Sequence, residues 1–102
     1  MSLTFIADII IASLEWDSFN TEHIFKHGLT RDDVELACNH ILQMADSHNN
    51  RSRVICELPN GQIITIILAY KGNNMYYPVS ARPASRKERQ EVGKRGGEPQ
   101  PA

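Results

Sequence analysis

The chain has 102 residues, 41% of them hydrophobic and 23% charged, with a formal net charge of −1. This composition is typical of one ordinary globular domain and argues against a disordered or fibrous protein. The apolar stretch at residues 3–14 contains Asp8 and is too short to span a bilayer. Since no basic segment precedes it, as in a signal peptide, we expect a cytoplasmic protein without a membrane partner. Cys38 and Cys56 are far apart and are expected to stay reduced.

The N-terminal third predicts a strand followed by a helix. Residues 8–14, DIIIASL, are continuously apolar and β-branched, as in a buried strand, although a helical continuation from the N-terminus also fits. Asp17 is a favourable N-cap for a helix over 18–27. Gly28 suits the left-handed position that ends such a helix, with Lys26 and His27 near its negative end.

A second helix is predicted to begin after Thr30. Thr30 and Asp33 match a capping box, and Leu29 with Val34 forms a plausible hydrophobic staple. Apolar residues then recur at helical spacing, which extends the predicted helix through residue 45. They are Val34, Ala37, Cys38, Ile41, Leu42 and Ala45.

The second half changes to the pattern of a sheet. RVICELP and QIITIILAY flank Asn60-Gly61, a strong hairpin signal. The second of these strands is apolar on both faces, which predicts a central position. MYYPVSAR would return as a third strand, and Pro78 places it at an edge or in a bulge. The chain is therefore predicted to be α+β, with helices packed on a small antiparallel sheet.

A short C-terminal helix is predicted over 86–92. Ser85 and Glu88 form a capping box before it, but RKERQEV is polar nearly all round. Such a helix is either frayed or docked on a charged surface. Residues 1–92 are predicted to form the single domain, and 93–102 a disordered basic tail rich in Pro and Gly.

Positive charge is concentrated at this end of the chain. Residues 1–70 carry 4 Lys and Arg against 9 Asp and Glu, a balance of −5, whereas residues 71–102 carry 7 against 3, a balance of +4. Four basic residues fall between positions 82 and 89, namely Arg82, Arg86, Lys87 and Arg89. The segregation indicates a polyanion or an acidic protein as partner, unless the segment is a solvated tail.

The possible catalytic side chains are histidine, lysine, arginine and tyrosine. Asn20, His23 and His27 share one stripe of the first predicted helix, which in the simplest interpretation is a solvated face. The two histidines lack the glutamate and further ligands of a zinc site, so no metal and no cofactor is expected. These residue types suit RNA cleavage by the RNA's own 2′-OH, which needs a base, an acid and positive charge on the phosphorane.

Two motifs resemble the BrnT-type toxins of bacterial toxin–antitoxin systems, within the RelE-like superfamily. EWDSFNTEHIFKHGLTRDDVE resembles their W-D…N…K-H-G opening, and YPVSARPASRKER resembles their closing S-A-R…E-R motif. The two motifs cover about a third of the chain, in the family's order. The resemblance implies a RelE-like α+β fold, ribonuclease activity on cellular RNA, and neutralisation by a co-encoded, DNA-binding, BrnA-like antitoxin. A homodimer or a toxin–antitoxin hetero-oligomer is the implied assembly.

The resemblance also implies site residues. Lys26 and His27 match K-H-G, and Arg82 matches S-A-R, which makes these three the catalytic candidates. Further RNA-binding candidates, besides Arg82 itself, are His23, Arg86, Lys87 and Arg89. If the end of the third strand lies near the first helix, Arg82 and His27 would face one site. His23 and His27 remain alternatives for the base, and Tyr76 or Tyr77 could contribute.

A second hypothesis is a binding module without chemistry. In it a catalytically inactive RelE-like protein docks an antitoxin or another acidic partner through its basic C-terminal face. The polar C-terminal helix fits this hypothesis as well as it fits RNA binding. An α+β domain with an unrelated role agrees least with the paired motifs.

Overall fold

The structure, a computed structural model, describes residues 13–47 and 49–95. Within these residues three helices pack on a five-stranded sheet. The helices are α1 (Ser18–Phe25), α2 (Arg31–Ala37) and α3 (Arg86–Arg95). The strands are β1 (Ser13–Leu14), β2 (Ile41–Asp46), β3 (Arg51–Glu57), β4 (Ile63–Gly72) and β5 (Met75–Pro83). The predicted α+β class is confirmed.

The caps predicted for the first two helices are present. The Asp17 side chain accepts a hydrogen bond from the backbone of Asn20, and Thr30 forms the matching capping box with Asp33. Gly28 has φ +82°. The backbone N–H groups of Gly28 and Leu29 donate back to Phe25 and Ile24, the bonding pattern of a Schellman end. The helix itself ends at Phe25, two residues before its predicted end, and Gly28 takes the predicted left-handed position in the turn that follows.

The extent predicted for the second helix is wrong. α2 ends at Ala37, and residues 41–46, predicted as its continuation, form strand β2 instead. β2 pairs antiparallel with β3, from Ile41 opposite Cys56 to Asp46 opposite Ser52. The apolar spacing fits either structure, and pairing with β3 satisfies backbone groups that would otherwise stay at an open sheet edge.

The sheet has the strand order β1-β5-β4-β3-β2, with β4 central as predicted. β1 pairs parallel with β5 and the other neighbours are antiparallel. The β4–β5 register shifts near Pro78, which agrees with the predicted bulge. One face of the sheet packs on α1 and α2 to form the main core. Its largest contributors are Ile24, Leu29, Val34, Val54, Ile64, Ile66 and Leu68.

The C-terminal helix is longer than predicted. α3 continues to Arg95, so residues 93–95, assigned to the tail from sequence, are helical. Val92 and Glu88 are buried, which shows that α3 docks on the protein. The predicted strand residues 8–12 and the tail residues 96–102 lie outside the described residues. Across 13–47 and 49–95, none of the helices is long and apolar enough to cross a membrane.

Candidate functional site

The sheet face opposite the main core carries most of the polar side chains of the sheet. Cross-strand register places Arg51, Ala69 and Tyr77 in one row across β3, β4 and β5. The next row holds Arg53, Ile67 and Ser80, and the third holds Ile55, Thr65 and Arg82. Because side chains alternate along a strand, all three rows lie on the same face. We call this surface the polar face.

A cleft of about 650 Å³ lies where α1 meets the first row of the polar face. Phe19, His23 and Lys26 line it from α1, at the i, i+4 and i+7 spacing of one helix face. The sheet contributes Arg51, Lys71, Tyr77, Ala69 and Val79. Four basic or potentially basic side chains therefore surround one cleft, together with the acidic Glu22.

Asn20 does not belong to the solvated stripe that the sequence suggested. Asn20 is buried, its side-chain amide donates to the carbonyl of Glu15, and its amide oxygen accepts from the N–H of Asp17. It therefore fixes the start of α1. His23 and His27 are exposed, and their rings meet edge to face with centroids 5.8 Å apart.

Tyr77 is held in place at the cleft wall. Its hydroxyl donates to the carboxylate of Asp17, with oxygen–oxygen distances of 3.0 and 3.1 Å. The ammonium of Lys71 lies 5.9 Å from the centroid of the ring. Partial desolvation and the hydrogen bond to Asp17 raise the pKa of Tyr77, so the phenol stays protonated at neutral pH. The cleft wall is thus fixed to the N-cap of α1.

Glu88 organises the far end of the polar face. Its carboxylate accepts two hydrogen bonds from Arg82, at 2.9 and 3.0 Å, and one from Arg53, at 3.1 Å. Thr65 and the backbone N–H of Ser85 complete the shell. Because Arg82 and the other donors stabilise the charged form, the pKa of Glu88 lies well below its usual range. Glu88 completes the predicted capping box and also binds the arginine of the S-A-R motif.

The predicted catalytic residues therefore fall in two places. Lys26 lies in the cleft, and His27 stands behind His23 without lining the cleft. Arg82 lies in the Glu88 cluster. The rows of Arg82 and Tyr77 are four residues apart along β4, which corresponds to about 13 Å. The structure thus brings together His23 and Lys26, and it places Arg82 further along the same face.

The basic residues of α3 lie beside the Glu88 cluster. Arg86 and Lys87 are exposed. The Arg89 guanidinium donates to the carbonyl of Ala84 at 2.9 Å, which holds the start of α3. These three side chains extend positive charge beyond Arg82.

Sequence reasoning missed three basic residues of the polar face. Arg51, Arg53 and Lys71 lie outside both motifs, and only the strand register brings them beside Tyr77 and Arg82. The signal available in the sequence was the spacing of Arg51 and Arg53, which places both on the same face of a strand.

A solved structure matches most of the chain. It is the crystal structure of BrnT, a ribonuclease toxin of Brucella abortus, at a TM-score of 0.58 and 26% sequence identity. The match covers 72% of this chain and 96% of the BrnT chain. No protein-family model and no curated protein matches the sequence. The order of elements, the sheet and this match together show that the chain has a BrnT-like toxin fold.

Proposed function

We propose that this protein is the toxin of a type II toxin–antitoxin pair and acts as a metal-independent endoribonuclease on cellular RNA. The observation that carries the proposal is the cleft in which His23 and Lys26 lie with Arg51, Lys71 and Tyr77. Its support from the fold is the match to a ribonuclease toxin.

The reaction we propose is attack of a ribose 2′-oxygen on the adjacent phosphorus. A new P–O bond forms, and the bond to the 5′-oxygen of the next nucleotide breaks, leaving a 2′,3′-cyclic phosphate and a 5′-hydroxyl. One proton leaves the 2′-OH and one reaches the departing 5′-oxygen. Histidine is the side chain most often used for such transfers. His23 lines the cleft and is the first candidate, with His27 beside it as the second.

The positive side chains would stabilise the phosphorane. Lys26, Arg51 and Lys71 surround the cleft, where preorganised positive charge favours the extra negative charge of the transition state. Arginine also matches two phosphate oxygens with its planar fork. Arg82 does not line this cleft, and its guanidinium is bonded to Glu88. We assign Arg82, with Arg86, Lys87 and Arg89, to binding the RNA strand further along the face.

The same basic surface suits neutralisation by an antitoxin. A co-encoded, DNA-binding, BrnA-like antitoxin with an acidic segment could cover the polar face and exclude RNA. This proposal includes a toxin–antitoxin hetero-oligomer, with or without a toxin homodimer, in the cytoplasm.

The experiment is cleavage of end-labelled RNA by the purified, antitoxin-free protein in EDTA, with and without ribosomes. His23→Ala and His27→Ala are compared with His40→Ala, a matched control because His40 is exposed in the turn before β2, outside the cleft. We expect His23→Ala to lower kcat by about 100-fold or more, the usual contribution of a general acid or base. His40→Ala should cleave as the wild type does.

Two results would contradict the proposal. One is the absence of cleavage by folded wild-type protein both with and without ribosomes. The other is full activity in a His23→Ala, His27→Ala double variant, which would remove histidine from the chemistry. Activity that EDTA abolishes would refute metal independence alone.

A further inference from the structure

Two phenylalanines of α1 are largely exposed. Phe19 has 80% of its surface exposed and Phe25 has 69%. A phenylalanine ring stabilises a fold mainly when it is buried, so neither ring contributes much to the core here. The two rings differ in their surroundings.

Phe19 lines the cleft, whereas Phe25 does not. Phe19 shares the cleft with His23, Lys26, Arg51 and Lys71. Phe25 lies in a separate groove between α1 and α2, beside Leu29. The groove and the cleft share Glu22 and Lys26, but only the Phe19 ring lines the cleft that also holds Arg51 and Lys71.

An aromatic ring in a basic cleft is the common arrangement for binding single-stranded nucleic acid, in which the charges hold the backbone and the ring stacks on a base. We propose that the Phe19 ring stacks on an unpaired base next to the phosphate in the cleft, so that the substrate class is single-stranded RNA. This inference rests on the proposed function.

Tyr77 gives the cleft a fixed second wall. Its hydroxyl is hydrogen-bonded to Asp17 and Lys71 lies over its ring, so this wall is already ordered before RNA binds.

Bases in a duplex have their faces covered by stacking and present only their edges. A duplex therefore cannot offer a base to Phe19 unless that base is first unpaired and unstacked.

The experiment measures binding separately from cleavage. The probe is a 2′-O-methylated RNA strand, which lacks the free 2′-OH that the cleavage needs, presented as a single strand and as a duplex. The variants are Phe19→Leu, which removes the ring but keeps an apolar side chain, and Phe19→Trp, which keeps an aromatic surface. Phe25→Leu is the matched control on the same helix.

We expect Phe19→Leu to weaken single-strand binding on the order of 10-fold. Phe19→Trp and Phe25→Leu should bind the single strand as the wild type does. The duplex should bind more weakly than the single strand to the wild type, Phe19→Trp and Phe25→Leu. In Phe19→Leu the difference in affinity between the single strand and the duplex should be smaller. Unmodified RNA gives the cleavage rate in parallel.

The outcomes separate this inference from the proposed function. Equal binding by Phe19→Leu and Phe25→Leu, from a protein that cleaves RNA, overturns the stacking role and leaves the ribonuclease proposal standing. If Phe19→Leu weakens binding but the wild-type protein cleaves no RNA, the stacking role stands and the ribonuclease proposal is overturned. A Phe19→Leu variant that cleaves normally but is no longer neutralised by the antitoxin would assign the ring to a protein partner and overturn the inference.

Discussion

Replacing Glu88 with glutamine tests whether the buried carboxylate holds α3 and the two arginines on the polar face. Only 9% of the Glu88 side chain is exposed, while the side chains of Arg53 and Arg82 are 31% and 41% exposed. In Glu88→Gln one carboxylate oxygen becomes an NH₂ group, which cannot accept a hydrogen bond. If that oxygen is Oε2, the bonds from Arg82 Nη2 and Arg53 Nη1 are lost.

The cost follows from these two bonds. A hydrogen bond to a charged group contributes about 1.5 to 3 kcal/mol when buried. Both arginines are partly exposed, so water can replace the lost hydrogen bonds in the variant. We therefore take a loss of about 1 kcal/mol in the free energy of unfolding for each bond. The free energy of unfolding should fall by about 2 kcal/mol, which lowers Tm by roughly 10 °C in a domain of this size.

Urea and thermal unfolding measure this loss, with Glu91→Gln as the control. Glu91 lies one turn further along α3, is 46% exposed and is 4.0 Å from Arg53. It should change the free energy of unfolding by no more than about 0.5 kcal/mol. Equal midpoints for Glu88→Gln and Glu91→Gln would refute the assigned role of the carboxylate.

The pH dependence gives a second check. The pKa of Glu88 is lowered in the folded protein, so its contribution is present above the ordinary glutamate pKa of about 4.3 and is lost as pH falls toward the folded value. The difference between wild type and Glu88→Gln should therefore shrink between about pH 5 and about pH 3. A difference that stays constant over this range would show that the charge of Glu88 is not involved.

Two further predictions concern the backbone and the thiols. Gly28→Ala should destabilise the protein by about 1 to 2 kcal/mol in urea unfolding, because φ is +82° there. Gly93→Ala should stabilise it by about 0.5 to 1 kcal/mol, because Gly93 lies in α3 with open space around it. A change of the same sign in both variants would contradict the left-handed conformation of Gly28 or the helical one of Gly93. Burial, and secondarily Glu35, raises the pKa of Cys38 to about 12, and burial also raises that of Cys56. A thiol reagent at pH 8 should modify the native protein more than about 100-fold more slowly than the unfolded chain, and fast native labelling would contradict this.

Local features of the fold were predictable from sequence because their signals lie within a few residues. The caps at Asp17 and Thr30, the left-handed turn at Gly28 and the capping box of Ser85 and Glu88 each depend on side chains and backbone groups at most five residues apart. Backbone geometry alone selects such residues, so their identity is informative without tertiary context.

Features that depend on strand register were not predictable in the same way. Residues 41–46 have an apolar spacing that fits a helix, and they form a strand because they pair with the neighbouring strand β3. The site shows the same limit. Arg51 and Lys71 reach the cleft through pairing of β3, β4 and β5, and Arg82 is drawn to Glu88 by the docking of α3.

The hydrogen bond from Tyr77 to Asp17 has a consequence for how the cleft is assembled. It joins residues 60 positions apart, whereas the first pair of the β3–β4 hairpin, Glu57 and Ile63, is 6 apart. Because closure entropy grows with the logarithm of loop length, joining the ends of the longer loop costs about 2 kcal/mol more in an otherwise unstructured chain. The wall of the cleft therefore belongs, with the pairing of β1 on β5, to the contacts that cost the most chain entropy to form. Strands β2 to β5 can pair as neighbouring segments of the chain, but the cleft exists only once the N-terminal segment with α1 has met β5.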